Sequence, residues 1–544
     1  MPTHPSHLGA RLASQLRDSR AYQGIRSATL VLLGCVAAWL LYFGFKTVTF
    51  PYPLEYREGG SQVTTQFLLN GENPFTLENQ PLGANDYGIG YALAVLPLAA
   101  IFGNTLLVHR AVSTFFVLLS SILVFRTIFK SGGGAIPSVM GAEISFMALA
   151  ALGGLGAVTA SMGACFFLLA LVVPFERGFD RRGLLWSALL GLIAFYTKPY
   201  FALALGIVGS YLFLFESRQM TLVYGAILAA FGLVSVILVR LILPLYFFDV
   251  LVTNYFLASR DYAYMLEQLR ELFAEFWPLI LGAALLTLGA IAIPRPGPGT
   301  SEPELHGDKS AILDRPPAGR KPDFFFYSMA SGFLAYILIL GPHRGNYLTY
   351  GYQLLLPPFS IWLFRQLKFR TRLGPAIMAL ALINLFSLMQ LRLNPGLLVL
   401  TPRDLSAWAQ LDRLLSDSQN VLNSPAIASQ MIALGMRPVD SGLTEDYFFE
   451  GHYRGNPLFG ASEEQVRASR QAFLQTIRSE IRNQQFDRVI VSDRLDYFYD
   501  EAYVNRYYDR IDTISVDMPQ TLQSWTLLVW VPKDAPPSQL PKSP

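Results

Sequence analysis

Residues 27–60 read SATLVLLGCVAAWLLYFGFKTVTFPYPLEYREGG, and this stretch decides the fold. Its first part, about Ser27 to Val48, is apolar and long enough to cross a bilayer as one helix. The preceding residues 1–26 are polar and carry four arginines, which predicts a cytoplasmic N-terminal tail. No small-residue cleavage site follows, so we expect a retained span rather than a removed signal peptide. The loop that begins at residue 49, here called the first outer loop (49–105), is then extracytoplasmic.

The composition extends this reading to the whole chain. Of 544 residues, 52% are hydrophobic and 15% are charged, whereas a soluble domain carries about 25% charged residues. This excludes a disordered protein and an ordinary soluble enzyme, and it predicts many membrane spans. The 42 basic and 39 acidic residues nearly balance, so no nucleic-acid partner is expected. Cys35 and Cys165 both lie in apolar segments and offer no disulfide framework.

Ten further apolar segments are predicted to span the membrane, which makes eleven in total. Residues 136–175 form one apolar stretch about two bilayers long, at ~1.5 Å rise per residue. It must therefore fold back, and the glycines at 153–156 mark the hairpin. The ten segments are 106–126, 136–152, 154–175, 184–198, 200–216, 220–243, 274–294, 323–340, 351–365 and 373–392.

Residues 88–103, GIGYALAVLPLAAIFG, are too short for an ordinary span and contain Pro97. The basic loops near residues 126–130, 176–182, 218, 295–321 and 365–372 should all be cytoplasmic. These assignments agree with each other only if 88–103 does not cross. We therefore predict a juxtamembrane helix in the outer interface. The alternative is that 88–103 crosses and that one later span is wrong.

The composition changes after residue 392, and residues 393–544 become polar and charged. The segments NVLNSP, ASQMIALGM and RPVDSG are typical of strand, helix and strand, and FDRVIVSD and SWTLLVWVPK of buried strands. Residues 463–483 are typical of an amphipathic helix. The prediction is a cytoplasmic tail (1–26), a transmembrane domain (27–392) and an extracytoplasmic soluble α/β domain (393–544).

The first outer loop is the candidate for chemistry because it is long and acidic. Glu55 and Glu58 are three positions apart and would share one face of a helix. Two carboxylates at an apolar boundary can act as bases or as metal ligands. The competing interpretation is that they are solvated loop acids.

Several weak motifs, in this order, resemble those of the GT-C superfamily of membrane glycosyltransferases. The resemblance covers about residues 30–392 and is strongest to the protein O-mannosyltransferases and lipid A aminoarabinose transferases. The motifs are EYREG, QFLLNGENPF, AAIFG, RAVS (110–113), GLIAFYTKPYF and HRGNYLTYGYQLLLPP. None is specific alone, and the argument rests on their order and spacing.

The resemblance implies transfer of a sugar from a polyprenyl-phosphate donor at the outer face of the membrane. It also implies that an acid of the first outer loop serves as base or helps to hold a divalent metal. Glu58 matches that acid best, with Glu55 as a second candidate. The usual neighbouring acid is replaced by Arg57, which puts metal dependence in doubt. If a metal is used, Glu55 and Glu58 would bind Mg²⁺ or Mn²⁺.

Cations at the outer face would stabilise a lipid phosphate as it leaves. Lys198, Arg344 and Arg110 fall at this level and are the predicted phosphate ligands, although basic residues at a boundary also snorkel without a specific role. Glu143 and Arg240 lie deeper, where they either act in the reaction or pair with other groups. The remaining candidates for supporting roles are Arg57, Asp86, Arg240, Arg260 and His343.

The predicted function is a glycosyltransferase of a multi-pass cell membrane, with a bacterial inner membrane favoured and the C-terminal domain periplasmic or extracellular. Its expected partners are the polyprenyl-phosphate sugar donor, membrane lipids, and a lipid, glycan or protein acceptor. Two other classes remain open. A flippase or transporter of lipid-linked glycans would be expected to show matching halves, and a non-catalytic assembly protein would not need the acidic loop.

Overall fold

The structure is a computed structural model that describes residues 20–151, 154–253, 260–292, 321–342, 348–367, 374–442, 444, 460–492, 500–519 and 523–533. Each of the eleven predicted spans corresponds to a helix within these residues. In chain order, and with two helices of the first outer loop included, the helices up to residue 392 are α1 (Arg20–Val48), α2 (Glu58–Leu69), α3 (Gly90–Phe102), α4 (Leu106–Lys130), α5 (Ala135–Ala150), α6 (Ala160–Glu176), α7 (Arg181–Thr197), α8 (Leu203–Tyr211), α9 (Arg218–Ile242), α10 (Tyr262–Ala292), α11 (Phe324–Ala335), α12 (Leu348–Gln366) and α13 (Gly374–Arg392).

Within the described ranges, six helical stretches are long and apolar enough to cross a membrane on their own, and the chain is a polytopic helical membrane protein. The six are Gln23–Val48, Leu106–Lys130, Pro199–Glu216, Arg218–Ile242, Tyr262–Leu288 and Gly374–Arg392. Helix α10 begins at Tyr262, well before the start predicted at residue 274. Its first turns carry several charged residues, which lower the local hydropathy, so the hydropathy pattern did not predict where the helix begins.

Helix α3 is the short apolar segment that was predicted not to cross. It contains Pro97 and packs against α2, α4 and α7. Tyr91 and Val95 are buried on its protein-facing side, whereas Ile101 and Phe102 are largely exposed. An exposed apolar end of this kind suits contact with lipid at the membrane boundary.

The C-terminal domain carries one four-stranded sheet with the order β1-β2-β4-β3. Its elements are α14 (Pro402–Ser416), β1 (Val421–Asn423), α15 (Ala428–Ala433), α16 (Glu463–Arg482), β2 (Arg488–Ser492), α17 (Glu501–Tyr507), β3 (Tyr508–Met518) and β4 (Gln523–Pro532). Strand β1 pairs in parallel with β2, and the other two pairings are antiparallel. A buried core that includes Trp408, Ile490 and Val529 fills the space between the sheet and α14.

One prediction for this domain was wrong, and one strand was missed. The segment RPVDSG (437–442) is not a strand, because the side chain of Asn423 takes the hydrogen bonds that a neighbouring strand would make. Strand β3 was not predicted. It lies at the edge of the sheet, and its sequence YDRIDTISVDM mixes charged residues among the apolar ones.

The C-terminal domain packs directly on the first outer loop. The ring of Tyr52 stacks on Trp408 with centroids 4.8 Å apart, and Tyr56 lies 5.2 Å from Trp525. Helix α2 meets α15 at Gly59, where an added Cβ would lie 2.7 Å from the Cβ of Ala428. The loop predicted to carry the chemistry is thus covered by the domain that the composition separates from it.

Candidate active site in the first outer loop

Glu58 and Arg110 form a fully buried ion pair where the first outer loop meets the helical bundle. Both side chains are 0% exposed. The Nε of Arg110 lies 2.8 Å from Glu58 Oε1, and its Nη2 lies 2.7 Å from Oε2. The carboxylate also accepts backbone N–H bonds from Leu54 and Ala157, each at 2.7 Å. Four donors therefore hold the two carboxylate oxygens.

This geometry does not fit the predicted roles of Glu58 as base and Arg110 as phosphate ligand. A base needs an accessible oxygen close to the proton that it takes, and both oxygens of Glu58 are already occupied. Arg110 also donates to the carbonyl oxygens of Phe50, at 2.5 Å, and Tyr52, at 2.7 Å. The pair instead fixes the path of the chain through residues 50–58, which includes Glu55.

A second charged cluster lies beside this pair and consists of Glu55, Arg57, Asp86 and Lys198. Lys198 caps the end of α7, is only 8% exposed and places its ammonium 4.3 Å from the ring centroid of Tyr87. A snorkelling lysine would extend away from the protein core. Lys198 is instead enclosed by protein, and the snorkelling interpretation does not fit.

Mutual electrostatic effects show that these four residues share one site. Burial raises the pKa of Glu55, and Glu58 raises it further, while the charges of Arg57 and Lys198 oppose the shift. Burial also raises the pKa of Asp86, against the opposing charges of Lys198 and Arg57. Both carboxyl groups therefore hold protons more tightly than in water, which suits a group that takes up a proton during a reaction.

The loop that carries Asp86 is tied to the end of α7. The N–H of Gly88 donates to the carbonyl oxygen of Thr197 at 3.0 Å. A Cβ at position 88 would lie 1.9 Å from the carbonyl oxygen of Tyr196, so only glycine permits this approach. Asn85 donates from Nδ2 to Thr64 Oγ1 on α2 at 2.7 Å. Residues 85–88 are thus fixed between α2 and Lys198.

Asp249 is a further acidic neighbour of this site, outside the first outer loop. It is 2% exposed and accepts a hydrogen bond from Gln80 Nε2 at 2.8 Å. Burial raises its pKa well above the usual value, and the nearby Asp86 raises it further. The signal available in the sequence was only a polar residue after a long apolar segment, which is common at span ends.

The other predicted residues lie apart or outside the described residues. Arg344 and His343 are outside them. Arg260 is exposed. Arg240 donates to the carbonyl oxygen of Pro244. Both carboxylate oxygens of Glu143 are buried and accept no hydrogen bond from the described residues, so Glu143 and Arg240 do not pair.

The residues present do not fit a divalent metal held by Glu55 and Glu58. Both oxygens of Glu58 are already bound by N–H donors, and Glu55 lies in the field of two cations. Within the described residues, no group of three or more His, Cys, Asp or Glu side chains converges.

Comparison with solved structures shows the same fold in ArnT. The chain is similar to the crystal structure of ArnT from Cupriavidus metallidurans bound to undecaprenyl phosphate, with a TM-score of 0.55 at 10% identity over 94% of this chain and 99% of that one. The apo structure of the same ArnT gives a TM-score of 0.50 at 11% identity over 95% of this chain and 100% of that one. No family model and no curated protein sequence matches the chain. The predicted GT-C fold is confirmed, and the comparison shows the fold alone.

Proposed function

We propose that the protein is a glycosyltransferase that moves a sugar from a polyprenyl-phosphate donor to an acceptor at the outer face of the membrane. The observation that carries the proposal is the cluster of Glu55 and Asp86 with the enclosed Lys198, which joins bases and a cation in one site. The fold supports the proposal, because the similar ArnT structure is described as bound to undecaprenyl phosphate.

In the proposed reaction, an acceptor hydroxyl or amine attacks the anomeric carbon of the donor sugar. The new bond forms from the acceptor atom to that carbon, and the bond from the carbon to the phosphate oxygen breaks. Glu55 takes the acceptor proton, since it is the partly accessible acid of the motif and burial has raised its pKa. The lipid phosphate leaves with the electron pair of the broken bond.

Lys198 is proposed to stabilise the negative charge that grows on the departing phosphate. Its side chain lies between the rings of Tyr87 and Tyr200, with its Nζ 5.5 Å from the second centroid. Tyr200 donates to Gln353 Oε1 on α12 at 3.2 Å, which ties the lysine site to the helix that follows Arg344. Arg344 remains the proposed second phosphate ligand, and its guanidinium can bind phosphate through two hydrogen bonds.

The proposed orientation places the site on the outer side of the membrane. The basic loops predict a cytoplasmic N-terminus and an extracytoplasmic C-terminal domain, and that domain covers the loop that carries Glu55. A bacterial inner membrane with a periplasmic C-terminal domain is the proposed location. There, a lipid phosphate at the outer boundary lies at the level of Lys198.

The test is a donor-consumption assay on the purified full chain with a panel of radiolabelled undecaprenyl-phosphate sugars. Binding of undecaprenyl phosphate is measured alongside by native mass spectrometry. We expect Lys198→Ala to weaken lipid-phosphate binding about ten- to a hundredfold, which corresponds to one charge-assisted hydrogen bond. Lys46→Ala is the matched control, because Lys46 is an exposed lysine in the last turn of α1, at the proposed outer end of that span. Equal binding by both variants, or a parent that consumes no donor, would refute the proposal.

A further inference from the structure

A cavity of about 550 Å³ lies between the first outer loop and the C-terminal domain. Its walls come from residues 48–52, from the first turn of α4 at 105–107, and from Gln62, Asp412 and Gln430. Two of these walls stand at span ends, so the cavity lies at the membrane boundary. It is separate from the cluster around Lys198, whose four charged residues do not line it.

Two buried amide side chains in the cavity wall have unused hydrogen-bonding capacity. Gln430 is 8% exposed, and both its Oε1 and its Nε2 find no hydrogen-bond partner among the described residues. Gln62 is 1% exposed, and its Oε1 also has no hydrogen-bond partner among the described residues. Its Nε2 donates to the carbonyl oxygen of Asn104 at 3.0 Å. Buried polar atoms cost free energy unless something bonds to them, so these amides indicate a polar ligand.

The charged residues of the cavity wall limit the kinds of ligand that the cavity can bind. Among the described lining residues, Asp412 is the one charged group, and none is lysine or arginine. A phosphate would meet no cation there and would be repelled by Asp412. Amides together with a carboxylate and the hydroxyl of Tyr52 instead suit a neutral group that both donates and accepts, such as a sugar.

The edge of the cavity suits an acyl or alkyl chain. Leu107 is 53% exposed and Leu434 is 46% exposed, and both lie in the lining. Leu107 lies in the first turn of α4, at the end of a span, where an exposed leucine contacts lipid at little cost, and Leu434 extends this apolar edge from the C-terminal domain. One side of the cavity therefore suits a hydroxyl-bearing headgroup and the other suits its hydrocarbon tail.

We propose that this cavity binds the neutral, hydroxyl-bearing headgroup of a membrane glycolipid, which serves as the acceptor. The acceptor role rests on the proposed glycosyl transfer, whereas the binding does not. Arg110 holds the carbonyl groups of Phe50 and Tyr52 in the cavity wall while it also holds Glu58. The same ion pair thus fixes the cavity wall and the segment that carries Glu55.

The experiment uses photolabelling of the full chain in phosphatidylcholine nanodiscs. The probe is an alkyl β-glucoside with a diazirine in its chain, and the comparison probe carries a phosphate on the same chain. Labelled peptides are mapped by mass spectrometry. We expect the glucoside to label 48–52 and 429–434 in preference to the phosphate probe. Gln430→Leu and Gln62→Leu should each lower that labelling about five- to tenfold, since each removes one or two hydrogen bonds.

Gln475→Leu is the matched control, because Gln475 is exposed on α16 away from the cavity. Gln430→Leu removes an amide that has no hydrogen-bond partner among the described residues and should leave the fold intact, whereas Gln62→Leu also removes the hydrogen bond to the carbonyl oxygen of Asn104. Thermal unfolding of each variant measures the effect on stability. Equal labelling by both probes, or unchanged labelling in Gln430→Leu, would overturn the proposal. Labelling without any sugar transfer would refute the proposed function and leave a glycolipid site. Transfer without labelling would refute the cavity proposal alone.

Discussion

Glu55 and Glu58 lie on one short segment, yet their surroundings give them different chemistry. Glu58 is fixed by Arg110 and two backbone N–H groups. Glu55 is partly accessible, and burial raises its pKa. The sequence predicts that this segment carries acids of interest. It cannot assign the roles, because the partner that distinguishes them is an arginine 52 positions from Glu58.

Replacement of Glu55 by glutamine should remove the base and leave the fold unchanged. We expect transfer to slow about 10²- to 10⁴-fold, as is usual when a general base is lost. In the parent, the rate should rise with pH through a pKa above the ordinary value of glutamate, because only the ionised carboxylate accepts the proton. The measurement is single-turnover rate against pH, with thermal unfolding as the control. A near-parental rate in Glu55→Gln would exclude it as base.

Replacement of Glu58 by glutamine should act mainly on stability. The change leaves the Arg110 charge buried without its partner, which typically costs about 3–5 kcal/mol. Activity and unfolding temperature should therefore fall together. The double variant Glu58→Gln with Arg110→Met should recover part of the stability, because it removes the isolated charge. If the Glu58→Gln protein has parental stability but no activity, Glu58 takes part in the reaction and this prediction is wrong.

At the scale of elements, the close contact between α2 and α15 depends on a glycine. Gly59→Ala brings a Cβ to 2.7 Å from the Cβ of Ala428, and we expect a loss of about 1–3 kcal/mol from overpacking. Gly34→Ala is the control, because no atom lies within 4 Å of its added Cβ and alanine favours a helix. Urea unfolding followed by tryptophan fluorescence compares the two. Equal stability of the Gly59→Ala and Gly34→Ala proteins would show that α2 and α15 accommodate the added methyl group at little cost.

Element type was predictable where an apolar segment was long and continuous. The apolar segments gave the helices, and the parity of the loops gave α3 as a short helix. Where contacts with residues distant in the sequence determine the backbone conformation, the sequence alone did not predict the element type. The side chain of Asn423 accepts hydrogen bonds from the N–H groups of Val439 and Asp440, which a neighbouring strand would otherwise bind. For β3, the residues that face the core are determined by its pairing with β4. Such partners lie too far along the chain for a local pattern to show.

At the scale of the whole molecule, Asp440 makes the stability of the C-terminal domain depend on pH. It is 3% exposed, and burial raises its pKa from 3.8 to about 7. The folded state therefore binds a proton that the unfolded state has lost between these values. Its contribution to stability is full below about pH 4, falls as the pH rises to about 7, and is constant above.

Asp440→Asn should flatten this dependence, since the amide oxygen can still accept the hydrogen bond from Gly442 N–H. The measurement is the urea midpoint of the domain at several pH values between 4 and 8, with Asp509→Asn on the exposed side of β3 as control. The difference between parent and Asp440→Asn isolates the contribution of this one group. Parallel curves for the two proteins would contradict the assignment.

The contact of Tyr52 with α14 has a consequence for biosynthesis. Tyr52 and its partner Asp412 are 360 positions apart, and ten of the eleven predicted spans lie between them, the first span preceding Tyr52. The ribosome therefore completes all the spans before the segment that carries Glu55 can receive its cover. In the proposed orientation, the first outer loop is until then on the far side of the membrane without the domain that encloses it. A chaperone or protease that monitors membrane insertion would thus meet an open site on each unfinished chain and a closed one on each finished protein.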